Sequence, residues 1–211
     1  SCEYSEDFGW CDCDGNIYDE CGICNGEEEC FVYTKLLNNG SNLISFWALP
    51  ENTSIGNVMS SLGENVTGVI GEGVAASQIN PGQWVGSLSD ISYTSGYWVK
   101  LENSDTLTLD GYLNENTVYE LHSGANLISF PYQGSMDISL SIPDVVEGYF
   151  TGIIGEGVAA SQIAPFTWVG SLNELQGGNG YWVKVTFPFE FSFEHPDSVI
   201  IVTPQLPNIR K

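Results

Sequence analysis

From Phe31 onward apolar and polar residues alternate with a period close to two, the spacing that sends successive side chains of a β-strand to opposite faces. Phe31 to Leu37 and Val118 to Leu121 each run into an Asn- and Gly-rich turn and then LISF, which predicts a hairpin at both places. Trp84 to Leu88 and Tyr97 to Leu101 read as short strands. Leu107 and Leu109, then Phe189, Phe191 and Phe193, mark later strands by strict alternation, and Ser198 to Thr203 predicts one more. Val66 to Ser77 reads as a strand bulged or bent at Gly71-Glu72-Gly73. Helical spacing occurs only briefly. Ile55, Val58, Met59 and Leu62 share one face of a helix of two to three turns capped by Thr53 or Ser54, and Asp137 to Val146 keeps part of that pattern around Pro143.

The pattern repeats. Ile70 to Ile79 (IGEGVAASQI) returns unchanged as Ile154 to Ile163, 84 residues later and without a gap. At the same offset Asn42 to Phe46 returns as Asn126 to Phe130, Trp84 to Leu88 as Trp168 to Leu172, and Gly96 to Lys100 as Gly180 to Lys184. The expected organisation is a cysteine-rich segment at 1–30, a first unit at 31–114, a second at 115–198, and a tail at 199–211. The fold class is mainly β with minor α, and the two units are expected to share a core or pack tightly as a pseudo-symmetric pair.

Composition narrows the setting. Hydrophobic residues make up 42% of the 211, enough for folded cores despite a formal charge of −22. That charge reflects five Lys and Arg against 27 Asp and Glu, which argues against nucleic acid and anionic membranes as partners. No apolar run is long enough to span a bilayer, so no membrane insertion is expected. With Ser1 followed at once by Cys2, the chain reads as a mature or excised segment.

All six cysteines, Cys2, Cys11, Cys13, Cys21, Cys24 and Cys30, crowd into the first thirty residues. Three disulfides or a metal–thiolate site both fit the spacing; the lack of histidine and the dense carboxylates favour disulfides and an extracellular or cell-surface location. The connectivity stays open. Asp12, Asp14, Asn16, Asp19 and Glu20 crowd oxygen ligands into this segment, which makes calcium the expected cofactor, although the glycine position is not that of an EF-hand.

Glu72 and Glu156 occupy matching positions; brought together about a pseudo-twofold axis, they would form the paired carboxylates of some hydrolases. The plainer reading is an exposed turn residue between glycines. His122 and His195 are not equivalent in the repeat, so no duplicated Ser–His arrangement exists, and His122 reads as a turn residue. Trp84, Trp98, Trp168 and Trp182, with Tyr97 and Tyr181, are the candidates for stacking on a glycan or a partner protein. Alternation in GYWVK puts Tyr97 and Val99 on one side and Trp98 and Lys100 on the other, so one aromatic of each pair belongs to the core.

The run CDCDGNIYDECGICNG at 11–26 resembles the Cys- and Gly-rich "DECGVCGG" modules of large secreted or surface proteins, chiefly from marine microbes, departing at Asn25 where those more often have Gly. The unit with GxNLISF, a tryptophan strand and GYWVK is similar to a repeat module of such proteins. The resemblance implies an extracellular structural, adhesive or assembly role, with other extracellular domains or a second copy as partner, and carries no catalytic residues. A carbohydrate- or peptide-binding module is the alternative, and a hydrolase the distant one.

Overall fold

The structure, a computed structural model, describes residue 11, residues 16–18, residue 24, residues 30–114 and residues 116–195. It is mainly β, with a few short helices. The first unit comprises β1 (Phe31–Leu37), β2 (Gly40–Ile44), β3 (Ala48–Leu49), α1 (Ile55–Val58), β4 (Val66–Ile70), β5 (Ala75–Asn80), β6 (Gln83–Gly86), β7 (Tyr97–Leu101) and β8 (Asp105–Leu113). The second comprises β9 (Tyr119–Leu121), β10 (Gly124–Ser129), β11 (Ser135–Asp137), α2 (Ile138–Ser141), α3 (Asp144–Glu147), β12 (Phe150–Gly155), β13 (Val158–Ala164), β14 (Thr167–Gly170), β15 (Glu174–Gln176), β16 (Gly180–Val185) and β17 (Phe189–Phe191).

Each unit is built on an antiparallel five-stranded sheet, in the order β2-β7-β4-β5-β6 and β10-β16-β12-β13-β14. The inner faces carry the buried alternate residues, Val69, Tyr97 and Val99 in one sheet and Ile153, Tyr181 and Val183 in the other. A second layer covers them: β1-β8-β3 in the first unit, β9 with β17 in the second. Two separate apolar cores result, so the units pack against each other without pooling their interiors.

The predicted hairpins do not form. β1 pairs with β8 and β2 with β7, so the chain turns a corner from one layer into the other. A buried asparagine holds that corner. Asn42 Oδ1 accepts the Asn38 amide at 2.7 Å while its Nδ2 donates to the Asn38 carbonyl at 2.9 Å. Asn126 makes the same pair of bonds with His122 at 2.8 Å each. A hairpin ladder would use these backbone groups itself; the side chain takes them and frees the two strands to separate.

Val66 to Ser77 is two strands rather than one, and Gly71-Glu72-Gly73 is the tight bend, not a bulge, between them. It turns the hairpin between β4 and β5, with Gly73 at φ 70°, while the bulge lies at Val66/Gly68. The helix over 54–62 breaks after α1 into one 3-10 turn at Ser60–Leu62. Its counterpart splits into α2 and α3 because Pro143, lacking an amide hydrogen, caps α3. The offset of 84 slips to 83 there: Ile55 donates to the Ser89 carbonyl and Ile138 to that of Asn173.

Candidate functional site

Three places carry the polar and aromatic chemistry: the seam between the units, the outer faces of the two large sheets, and a small pocket on the second unit.

At the seam, each unit closes an edge of the other. β2 and β10 are edge strands, whose outward amides need partners. Leu43 donates its amide to Glu156 Oε2 at 2.8 Å, and Leu127 donates to Glu72 Oε2 at 2.7 Å. Ser45 donates to the Gly178 carbonyl and Ser129 to that of Thr94, both at 3.1 Å. Gly96 and Gly180 meet at the centre; a Cβ on Gly180 would lie 2.7 Å from the Ile44 carbonyl oxygen, and one on Gly96 would lie 2.9 Å from that of Ile128. Only glycine admits so close a backbone approach.

The two glutamates therefore do not form a carboxylate pair. Glu156 lines a cleft of about 570 Å³ with Lys35 and Asn179, and Glu72 lines a different one of about 340 Å³ with His122. In the first, Lys35 Nζ donates to Asn179 Oδ1 at 2.5 Å; burial holds its ammonium below the ordinary lysine range, with Glu156 acting in the opposite sense. In the second, His122 Nε2 lies 2.6 Å from Glu72 Oε1. The Ser123 carbonyl and then Glu72 raise the His122 pKa. This cross-unit contact had no sequence signal, since residues 50 apart are joined by the seam alone.

The sheets' outer faces carry Trp98 and Trp182, both half-buried, while Tyr97 and Tyr181 are core residues whose hydroxyls accept the amides of Ser92 and Gln176. Beside Trp98 stand Lys100, Gly68 and Ile70, then Ala75, Ser77 and Ile79 on β5, and Gln83 and Val85 on β6. Ile70 is 55% exposed and Ile79 59%; their matches Ile154 and Ile163 are 55% and 66% exposed. No strand position on either outer face is Asp or Glu, in a chain with 27 of them. Apart from Ser41 and Gln83, which give way to Ala125 and Thr167, the two faces have the same residues.

Trp84 and Trp168 lie on the covered side of the edge strands β6 and β14, half-buried against their cores. Their surroundings differ. Trp168 Nε1 donates to Glu147 Oε1 at 2.6 Å, and Glu147 is only 1% exposed. Burial raises the Glu147 pKa, and the Trp168 bond opposes that shift. In the first unit Gly63 stands in place of Glu147, and Gly56 abuts the edge of the Trp84 ring.

Of the six cysteines, Cys11 and Cys24 form a disulfide with Cα atoms 5.4 Å apart, and Cys30 is disulfide-bonded as well. Cys2, Cys13 and Cys21 lie outside the described residues. So do Asp12, Asp14, Asp19 and Glu20 of the expected calcium site, leaving only Asn16 within them. Among the described residues no group of three or more His, Cys, Asp or Glu is placed to hold a metal ion, and no helix is long and apolar enough to cross a membrane. The chain matches no family model, and no curated protein or solved structure aligns with it significantly.

Proposed function

We propose that this protein is an extracellular assembly module that stacks, sheet face on sheet face, with further copies of itself. The observation that carries this reading is the pair of carboxylate-free outer faces. The chain's 27 carboxylates all lie off the strand positions of these faces, against five Lys and Arg in all, and like charges oppose contact between acidic surfaces. On these faces it meets Trp, Ile and Val over small residues and one lysine. Exposed apolar residues gathered on one sheet face mark an association surface, and two sheets pack face to face in this way in sandwiches. Two such faces per chain make the module bivalent.

Net repulsion works against stacking and is screened by salt, so association should strengthen as sodium chloride is raised. Sedimentation velocity across protein concentration and ionic strength tests this directly. Ile70→Glu with Ile154→Glu, which places a carboxylate on each face, should leave a monomer under all conditions. A wild-type chain that stays monomeric at high salt and about millimolar concentration would remove the reading. The crowded oxygen ligands of the first thirty residues support a calcium requirement for that segment. Calcium at fixed high ionic strength should raise its melting temperature, and less so with Asp12→Asn and Asp14→Asn; equal shifts would count against it.

A further inference from the structure

The hairpin between β13 and β14 contains the only non-glycine residue at positive φ among those described. Phe166 has φ 62°, a left-handed conformation that a bulky L-residue adopts at a cost. The same turn in the first unit has Gly82 at φ 71°, which meets the requirement without strain. Nothing in the packing calls for the ring, since Phe166 is 56% exposed. The second unit thus holds an aromatic side chain in solvent on a backbone that favours glycine. Strain of this kind persists where the side chain has a task.

The ring borders a pocket of about 280 Å³ formed with Trp168, Thr167, Asp137, Ser139 and Asn173. Trp168 is fixed in place by its bond to buried Glu147, so its ring is preset rather than free to rotate. Asp137 Oδ1 accepts both the amide and the hydroxyl of Ser139, at 2.8 and 2.6 Å, which orients the carboxylate at the rim. Asn173 gives its backbone carbonyl to Ile138, and its side-chain amide bonds no other described residue. Two aromatic rings next to a carboxylate, hydroxyls and an amide match the surface of a sugar, which offers apolar C–H faces ringed by hydroxyls.

We propose that this pocket binds a neutral saccharide, with Phe166 and Trp168 stacking on sugar rings and Asp137 and Asn173 bonding their hydroxyls. The Asp137 carboxylate and the acidic chain disfavour sulfated or uronate glycans. The site belongs to the second unit alone and shares only Thr167 with the outer sheet face. One chain would then carry both a self-association surface and a hold on a glycan.

Phe166→Gly separates this proposal from a structural role, because it restores the residue the first unit uses. Binding of cello-, xylo-, manno- and chito-oligosaccharides is followed by calorimetry, and by the Trp168 indole N–H signal in NMR. At least one series should bind saturably. Phe166→Gly should weaken it by about tenfold or more while leaving the melting temperature unchanged or higher. Phe166→Ala, which removes the ring and keeps the strain, should lose binding without that thermal gain. The proposal is overturned if no series saturates below about 10 mM, if Phe166→Gly binds as well as wild type, or if peptides and not saccharides move the Trp168 signal.

Discussion

The two units carry the same five-stranded sheet and cover it differently. In the first, the covering layer is the three-stranded β1-β8-β3, with Tyr33, Leu37 and Leu107 fully buried. In the second it shrinks to β9 and β17, and Leu107 and Leu109 give way to Phe191 and Phe193. Those rings meet each other and Tyr119 at centroid distances of 4.9 to 5.3 Å. The covering layer was thus rebuilt with different volumes, as cores permit when total packing is kept. The outer faces stayed almost the same residue for residue. Exposed isoleucines and valines gain nothing from burial within this chain, so their sameness in both halves supports an external occupant.

This contrast can be broken hardest at the seam, where both units depend on the same close approach. Gly180→Val would press a side chain against the Ile44 carbonyl. The expected loss is about 3 kcal/mol in denaturant unfolding, and Gly96→Val should match it. A loss below about 1 kcal/mol would mean that the halves are not held together there. Next come the glutamates. Glu156→Ala leaves the Leu43 amide without its acceptor and should cost about 1.5 kcal/mol, as should Glu72→Ala for Leu127. Since the two carboxylates occupy separate clefts, the double variant should lose the sum of the two; strong non-additivity would reveal a coupled pair.

The smallest effect sharpens the comparison of the two clefts. His122 has a raised pKa, so the stability it contributes is complete below the unfolded value of about 6.5 and is lost as pH rises through the folded value. Its match at the other corner is Asn38, which does not titrate. Glu72→Gln should bring the His122 imidazole titration, followed by NMR, down toward the ordinary value. A wild-type titration midpoint at or below about 6.5 would contradict the contact.

Much of the sheet was legible because period-two alternation reports a face: Tyr97 and Val99 inward, Trp98 and Lys100 outward. The corner at Asn42 was not, because an Asn- and Gly-rich turn before LISF looks the same whether the strands then pair or part. What decides it is whether a side chain takes over the backbone bonds, a matter of three-dimensional position. Glu72 was legible as a turn residue, but the destination of its carboxylate lies 55 residues away at Leu127. Phe166 was missed for a different reason: a phenylalanine next to proline gives no hint of left-handed φ until it is set against Gly82.

The reciprocal bonds from Glu72 and Glu156 have a consequence for ancestry. A single unit standing alone would offer a bare β2 edge and, on its own Gly-Glu-Gly turn, the carboxylate that fits such an edge. Two identical units would complete each other through the same exchange. The present chain has the form of a homodimer made covalent: a tie between former subunits fixes their stoichiometry, keeps them joined on dilution, and frees the two halves to change independently wherever the clasp does not reach.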